Sequence, residues 1–249
     1  MKINFNRLGP SNDSRIIVIG GCGGIGRTLV DVCIDINLRV AVLDLKESLK
    51  KTPPPYECFQ YSLNATNEQE VIQAYNSVNE EFNGCDIIVN LCGYIDEATP
   101  VKDINEKSWE LMINNNLKST YLCSKHAIPL LENSKKASII NTSSSLAFKG
   151  FKGNASYGAA KAGIIAFSKS LASELAPEIR VNVIAPGAVD TNFLYGNNRK
   201  IANQNITNTP MSKLASAEDI IGSILFLSGD ASKYITGQVI HINGGSLMP

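Results

Sequence analysis

The strongest constraint on the fold of this 249-residue chain is a regular alternation of short apolar runs with longer segments of helical period. Runs rich in Ile and Val predict buried strands at residues 15–20, 39–44, 86–90, 138–141, 180–185 and 238–242, with a weaker strand at 57–62. Helices are predicted at residues 26–36, 67–82, 109–131, 157–175 and 217–227. This alternation predicts a doubly wound, Rossmann-like α/β domain whose seven-stranded parallel sheet carries helices on both faces.

We expect an N-terminal tail over residues 1–14 and a single domain over residues 15–249. The sequence KTPPP at 51–55 cannot continue a helix and predicts a loop. Residues 193–210 are polar and Asn-rich and follow the sixth strand, at the sheet edge where such folds bind ligands. We therefore predict an irregular substrate loop within about 188–212, although a surface loop without a role is the alternative. Its polarity favours a small or hydroxylated polar substrate.

Composition excludes several classes of function. Lys plus Arg and Asp plus Glu both number 23, so the net charge is zero, whereas proteins that bind nucleic acid by charge carry a basic excess. No apolar run approaches the roughly eighteen residues that a membrane span needs. Six cysteines without a CxxC pair, and two histidines, give no zinc spacing and indicate a reducing compartment. We therefore expect a cytoplasmic protein with no metal, nucleic-acid or membrane partner.

The first predicted strand runs into a glycine-rich turn that opens a helix. Such a turn lets the backbone approach a pyrophosphate, which the N–H groups of the helix N-terminus then bind. Gly21, Gly23 and Gly26 fit the pattern GxGxxG, while Gly20, Gly24 and Gly26 fit GxxxGxG. The glycines alone leave both registers open, but the strand before and the helix after them favour a dinucleotide site.

Asp44 ends the second predicted strand, eighteen positions beyond Gly26. A carboxylate there accepts hydrogen bonds from ribose hydroxyls and repels a 2′-phosphate. The sequence therefore favours NAD over NADP, although Lys46 lies close.

Tyr157 and Lys161 lie four residues apart at the start of a predicted helix, so their side chains share one face. A neighbouring ammonium, together with an oxidised nicotinamide, favours the phenolate and lowers the pKa of a tyrosine. Tyr157 would then exchange a proton with a substrate oxygen while a hydride moves at carbon.

Four stretches together resemble the short-chain dehydrogenase/reductase family, classical type. They are the Tyr157/Lys161 pair, the turn ending Gly24-Ile25-Gly26, RVNVIAPG at 180–187 and ITGQVIHINGG at 235–245. The resemblance covers about residues 15–245, and its motifs occur in the family's order. It implies an NAD(P)-dependent enzyme acting on CH–OH groups, and it assigns Gly20, rather than Gly21, as the first glycine.

The resemblance also implies a set of catalytic residues. The family serine lies thirteen positions before the tyrosine, which selects Ser144 over its neighbours Ser143 and Ser145. This hydroxyl would stabilise charge on the substrate oxygen. The family asparagine corresponds to Asn116, which would hold a water that relays protons through Lys161.

Further cofactor contacts follow from the same resemblance. The implied cofactor-binding residues are Gly20, Gly24, Ile25, Gly26, Asp44, Asn64, Asn90, Gly93, Tyr157, Lys161, Pro186, Gly187, Val189 and Thr191. The chain departs from the family pattern at Ile19, where threonine is usual, and at Leu91-Cys92, where the family has Asn-Ala. The resemblance further implies a homotetramer.

These observations predict an oxidoreductase that transfers a hydride between NAD(H) and a secondary alcohol or ketone. One alternative is an NADPH-dependent 3-oxoacyl-(acyl carrier protein) reductase, which the family also contains. Another is a nucleotide-binding regulator that has the fold without turnover.

Overall fold

A seven-stranded, all-parallel sheet organises the computed structural model, which describes residues 8–204 and 206–248. The strands are β1 (Arg15–Ile19), β2 (Arg39–Asp44), β3 (Phe59–Ser62), β4 (Ile87–Asn90), β5 (Ser138–Thr142), β6 (Arg180–Pro186) and β7 (Val239–Ile242). The α-helices are α1 (Gly24–Asp35), α2 (Lys46–Lys51), α3 (Glu68–Phe82), α4 (Glu106–Ile113), α5 (Ser119–Leu131), α6 (Ala155–Leu175), α7 (Gly196–Gln204) and α8 (Glu218–Ser228). The predicted doubly wound α/β fold is confirmed.

The strand order β3-β2-β1-β4-β5-β6-β7 shows that successive strands are added on one side of β1 up to β3 and on its other side from β4 onwards, so the strand order reverses between β1 and β4. In such sheets the ligand crevice lies at the carboxyl ends of the strands beside this point. Ile19 pairs with Asn90 there, so the glycine-rich turn after β1 and the turn after β4 lie side by side.

Each face of the sheet has its own core. On one face Leu29 and Val30 of α1 and Ile224 of α8 pack against the sheet, and all three are fully buried. On the other face Val71 of α3 and Leu122 of α5 contribute to a second core, with further side chains from α6. Because both faces are covered, the strands are continuous apolar runs, as the sequence predicted.

The helix predicted at 109–131 is wrong in its start and its continuity. Asn105 caps α4, because its side-chain oxygen accepts from Ser108 N at 2.8 Å, so the helix begins three residues earlier. A π-helical turn, Asn114–Lys118, then separates α4 from α5. Such turns insert a residue into the helix and are frequent at functional sites.

The loop predicted at 193–210 is not irregular throughout. Residues 196–204 form α7, and a short 3₁₀ turn follows at Ile206–Asn208; residue 205 lies outside the described residues. Tertiary contacts stabilise this helix despite its Asn-rich sequence. Tyr195 Oη donates to Ile95 O at 3.0 Å, and Asn198 Nδ2 donates to Asp96 O at 2.7 Å.

Residues 1–7 of the predicted tail, and residue 249, lie outside the described residues. The rest of the predicted tail contacts the domain. Asp13 N donates to Asn37 O at 2.9 Å, and Ser14 is buried. A Cβ on Gly229 would lie 2.5 Å from the backbone of Gly9, so these two segments pack closely. In the described parts of the chain, no helix is both long and apolar enough to span a bilayer.

Candidate active site

The glycine-rich turn between β1 and α1 is shaped by close backbone approach. Gly20 has φ +82°, and a Cβ there would lie 2.9 Å from Cys92 N in the turn after β4. A Cβ on Gly24 would meet the Thr191 side chain at 2.5 Å, and one on Gly26 would overlap Gly20 O. Gly23 has an ordinary φ of −73° and room for a side chain. The geometry therefore agrees with the GxxxGxG register.

The N-terminus of α1 has the donors that a pyrophosphate needs. Its first turn contains no acidic residue, and Gly23 at the N-cap provides no side-chain cap. Residues 22–26 line a cavity of about 740 Å³. An uncapped helix N-terminus facing a cavity is a suitable site for an anion, so the residues present fit a dinucleotide.

Asp44 lies at the end of β2, against this turn. Its Oδ2 accepts from Cys22 N at 2.9 Å and its Oδ1 accepts from Leu45 N at 2.8 Å. Burial and the Asp44 carboxylate raise the pKa of the Cys22 thiol to about 12. Arg27, the cation on the adjoining helix turn, is bound to Asp31 at 3.0 Å and is not directed at Asp44.

Three predicted cofactor residues, Asp44, Asn64 and Asn90, are not among the residues that line the cavity. Asn64 is exposed, and its side-chain oxygen accepts from the backbone and hydroxyl of Thr66 at 3.1 and 2.8 Å. Asn90 is 1% exposed, and its Nδ2 donates to Asn141 Oδ1 at 2.6 Å and Ser124 Oγ at 3.2 Å. The structure therefore assigns the Asn90 side chain to an internal network.

Ser144, Tyr157 and Lys161 line the cavity together. Tyr157 is in the first turn of α6, and Lys161 lies one turn later, its Nζ 5.7 Å from the Tyr157 ring centroid. Lys161 Nζ donates to Thr142 O at 3.0 Å, and Ser143 Oγ donates to Lys161 O at 2.7 Å. Ser143 is therefore engaged with the helix backbone, whereas the Ser144 hydroxyl contacts Tyr157.

Burial shifts the pKa values of this pair in opposite senses. It raises the pKa of Tyr157 well above its usual value, against a lowering hydrogen bond with Ser144. It lowers the pKa of Lys161 to about 8, against a smaller raising effect of Cys92. Both shifts favour the neutral form, so a protonated Tyr157 is the state of the ligand-free protein at neutral pH.

Asn116 lies in the π-helical turn between α4 and α5 and is fully buried. Its Nδ2 donates to Tyr94 O at 2.8 Å and Met112 O at 2.9 Å, and its Oδ1 accepts from Tyr94 N at 3.2 Å. A Cβ on Gly93 would lie 3.0 Å from Asn116 Oδ1 and 3.2 Å from Lys161 Nζ. Gly93 thus lets Asn116 and Lys161 approach the same point.

Cys92 lies beside this group. A hydrogen bond with the Cys123 thiol, another with Ser119 and the charge of Lys161 together lower the pKa of Cys92 to about 7, against the raising effect of burial.

The segment after β6 forms the opposite wall. Pro186, Gly187, Val189 and Thr191, which the resemblance implies as cofactor-binding residues, all line the cavity. Val189 pairs with Ala215 in an isolated bridge, which holds this segment beside the glycine-rich turn.

The substrate side of the cavity differs from the sequence-based expectation of a polar site. Its wall contains the apolar side chains of Ile95, Leu146, Phe151, Leu194, Ile201 and Ile206. The sequence also missed Asn154, a buried residue at the start of α6 that lines the cavity. The described residues contain no cluster that could hold a metal ion.

Comparison with known proteins agrees with this geometry. A family model described as enoyl-(acyl carrier protein) reductase matches residues 20–246. The chain is 34% identical over 239 residues to a 3-oxoacyl-(acyl carrier protein) reductase of Chlamydia trachomatis, covering 92% of this chain and 95% of the relative. A Staphylococcus aureus protein of the same name is 32% identical over 241 residues, covering 93% and 97%.

A solved structure gives the same result. A short-chain glucose/ribitol dehydrogenase from Brucella melitensis superimposes with a TM-score of 0.90 at 27% identity, covering 97% of this chain and 99% of that chain. The chain belongs to the short-chain dehydrogenase/reductase family and is an NAD(P)-dependent oxidoreductase.

Proposed function

We propose that this enzyme transfers a hydride between NAD(H) and a secondary alcohol or ketone, using Tyr157, Lys161, Ser144 and Asn116. The observation that carries the proposal is that Tyr157, Lys161 and Ser144 line the same cavity as the glycine-rich turn. A dinucleotide bound along that turn extends towards the three side chains.

Tyr157 is the proposed acid and base. Because burial raises its pKa, it enters the reaction with its proton in place, ready to donate to the oxygen of a ketone. The nicotinamide supplies the hydride when bound. The Ser144 hydroxyl, which contacts Tyr157, stabilises negative charge that develops on the same oxygen.

Lys161 supports the tyrosine electrostatically and binds the nicotinamide ribose in this proposal. Its pKa of about 8 leaves it mostly protonated at neutral pH. Asn116 is a positioning residue, because its side chain is bound to Tyr94 and Met112 at the approach to Lys161. Its backbone carbonyl accepts from Thr120 Oγ1 at 2.8 Å and Ser119 Oγ at 3.1 Å, and we propose that a water bound beside Asn116 relays protons to Lys161.

We propose NAD(H) as the cofactor. The Asp44 carboxylate is held at the glycine-rich turn by Cys22 N, where it would accept from ribose hydroxyls and repel a 2′-phosphate. Gly20, Ile25, Gly26, Gly93 and Thr191, with the other cavity-lining residues, form the remaining dinucleotide site. Asn64 and Asn90 contribute through their backbones or indirectly, since their side chains are engaged elsewhere.

A second candidate is an NADPH-dependent 3-oxoacyl-(acyl carrier protein) reductase. Relatives of that name cover most of this chain, and the apolar substrate wall suits an acyl group. Against it stands Asp44, whose charge disfavours a 2′-phosphate.

We also propose that residues 188–212, including α7, cover the substrate, and that residues 15–249 act as one catalytic domain. The resemblance further supports a homotetramer that acts on small molecules, and the free cysteines support a cytoplasmic location.

Cofactor choice is tested by thermal unfolding with NADH and NADPH in parallel. A ligand at a hundred times its Kd stabilises by about 2.7 kcal/mol, which raises Tm by about 5–11 °C for a chain of this size. We expect the shift with NADH and a smaller one with NADPH, and Asp44→Ser should reduce the difference. A shift with NADPH alone supports the reductase alternative, and no shift with either contradicts the enzyme assignment of the cavity.

A further inference from the structure

Two thiols that the proposed mechanism does not use meet where the turn after β4 packs on α5. Cys92 lies in this turn and packs against the apolar core that contains Cys123 of α5. Cys92 Sγ is 3.7 Å from Ser119 Oγ, and Ser119 precedes Cys123 by four residues, so their side chains share one face of the helix. The two thiols form a hydrogen bond with each other.

The two cysteines differ in access and in how firmly their backbone is held. Cys92 is half-buried, whereas Cys123 is fully buried. Tyr75 Oη donates to Cys123 O at 2.9 Å, which fixes this part of α5 to α3. Cys92 belongs to a segment, residues 91–100, that forms neither helix nor strand. A bond between the two sulfurs therefore requires adjustment of the turn and not of the helix.

The surroundings of Cys92 favour its thiolate. Hydrogen bonds with Cys123 and Ser119 and the charge of Lys161 lower its pKa to about 7, against the effect of burial. Burial has the opposite result elsewhere, since it raises the pKa of Cys33 to about 12 and that of Cys58 to about 11. The thiolate is the form of cysteine that reacts with oxidants. An accessible thiolate beside a second thiol is the arrangement typical of redox-active cysteines.

We propose that Cys92 and Cys123 form a reversible disulfide when the protein meets a hydroperoxide. The Cys92 thiolate attacks one peroxide oxygen and becomes a sulfenic acid, while the O–O bond breaks and the departing oxygen takes up a proton to leave as an alcohol or water. The Cys123 sulfur then attacks the Cys92 sulfur, so an S–S bond forms and the S–O bond breaks. The leaving hydroxide takes the Cys123 proton and departs as water. Two electrons pass to the peroxide, and a dithiol reductant restores them.

The disulfide would act on the dinucleotide site through the turn after β4. A Cβ on Gly20 would lie 2.9 Å from Cys92 N, and one on Gly93 would lie 3.2 Å from Lys161 Nζ. Movement of Cys92 towards α5 changes both contacts, and oxidation removes the thiolate charge beside Lys161. We therefore expect the oxidised protein to bind the dinucleotide more weakly. This effect rests on the proposed function, whereas formation of the disulfide does not.

The first test counts thiols in the unsubstituted protein. The protein is treated with a slight molar excess of hydrogen peroxide, unfolded in urea, alkylated with iodoacetamide and digested for mass spectrometry. We expect two of the six thiols to escape alkylation, a joined pair of peptides that contains Cys92 and Cys123, and recovery of both thiols with dithiothreitol. Unchanged thiols, a bridge between other cysteines, or oxidation of Cys92 without a bridge would overturn the proposal.

Two variants separate the roles of the two sulfurs. Cys123→Ala should give no bridge and leave Cys92 as a sulfenic acid, which dimedone traps. Because this variant also loses the hydrogen bond, the pH midpoint for alkylation of folded Cys92 should rise above about 7. Cys58→Ser is the matched control, since Cys58 belongs to the core on the opposite face of the sheet, and it should still lose two thiols. Loss of two thiols in Cys123→Ala, an unchanged midpoint, or no bridge in Cys58→Ser would contradict the pairing.

A binding measurement tests the effect on the dinucleotide site without turnover. The Kd for NADH, measured by calorimetry, should rise about tenfold on oxidation, about the effect of one lost hydrogen bond, and should recover with dithiothreitol. In Cys92→Ser the same treatment should leave the Kd unchanged. Equal Kd values for the reduced and the fully bridged protein would overturn the link to the dinucleotide site. If the bridge forms but the reduced protein does not bind NADH, the proposed function is contradicted and the disulfide is not.

Discussion

Two groups of buried polar side chains lie at the carboxyl ends of neighbouring strands and differ in what their polar atoms face. The first, the internal network, consists of Asn90, Ser124, Asn141 and Ser168. Asn141 is fully buried; its Nδ2 donates to Ser168 Oγ at 3.0 Å, and its Oδ1 accepts from Asn90 and Ser124 at 2.6 and 3.3 Å. These bonds join β4 and β5 to α5 and α6.

The second, the cavity group, consists of Ser144, Asn154, Tyr157 and Lys161. All four are at least nine-tenths buried, as in the internal network, but all four line the cavity. Two of the four side chains make hydrogen bonds within the protein: Lys161 Nζ donates to Thr142 O, and Ser144 Oγ accepts from Leu146 N. The side chains of Asn154 and Tyr157 line the open space of the cavity.

Burial and polarity are therefore similar in the two groups. The side-chain hydrogen bonds of the internal network stay within the protein, although Asn90 Oδ1 is buried without a partner among the described residues, whereas the cavity group lines an open space. Donors and acceptors that are paired within the protein stabilise it. Those left open towards a cavity are available to a ligand. Substitution should accordingly affect stability in the internal network and binding or turnover in the cavity group.

The largest expected effect is on turnover. Tyr157→Phe removes the proton donor and should lower kcat by about 10³-fold, within the usual range for general acid catalysis. Only the Ser144 contact of the hydroxyl is lost, so we expect the free energy of unfolding to change by less than about 1 kcal/mol. Steady-state kinetics and urea unfolding measure the two quantities. Unchanged kcat would contradict the catalytic assignment and favour a regulator that binds nucleotide without turnover.

The next effect is on stability. Asn141→Ala leaves Asn90 Nδ2 and Ser168 Oγ without their main partners and should lower the free energy of unfolding by about 3 kcal/mol. Ser170→Ala is the control, because Ser170 lies on α6 but is exposed and bonds only to its own helix at Ala166 O. Urea unfolding should show little change in the control. If Asn141→Ala lowers the free energy of unfolding no more than Ser170→Ala does, the internal network does not stabilise the fold.

The comparison also explains what the sequence predicted well. The order of strands and helices follows from local periodicity, and the glycine-rich turn and the Tyr157/Lys161 pair follow from short spacings. These features depend on neighbours in the chain. The cavity brings them together because parallel strands present their carboxyl ends at one edge of the sheet.

Features that depend on distant contacts were not predicted. The helix α7 is supported by a bond between Tyr195 and Ile95, a hundred residues apart. The internal role of Asn90 depends on Asn141, 51 residues away. Likewise, the sequence places Asn154 before a helix but does not reveal that its side chain leaves the cap position and faces the cavity.

The smallest expected effect is on the pH dependence of the free energy of unfolding, and it concerns Lys161 in the ligand-free protein. Burial lowers its pKa from 10.5 to about 8, so in the folded state the ammonium is disfavoured. Between pH 8 and 10.5 the unfolded chain binds more protons than the folded one, so this residue makes stability rise with pH across that window. Below pH 8 the full cost is present, about 3 kcal/mol at 1.36 kcal/mol per pH unit.

Lys161→Met removes this cost but also the bond to Thr142 O, worth about 1 kcal/mol. We therefore expect the variant to be more stable by about 2 kcal/mol at pH 7, with the gain falling as pH rises from 8 towards 10.5. Urea unfolding at pH 7, 8.5 and 10 measures the difference from the unsubstituted protein, and Lys169→Met, an exposed site on the same helix, is the control. A difference independent of pH would show that Lys161 is stabilised as an ammonium within the fold. Lys161 would then stabilise the fold as the hydrogen-bonded side chains of the internal network do. It would share with the cavity group only its position at the cavity.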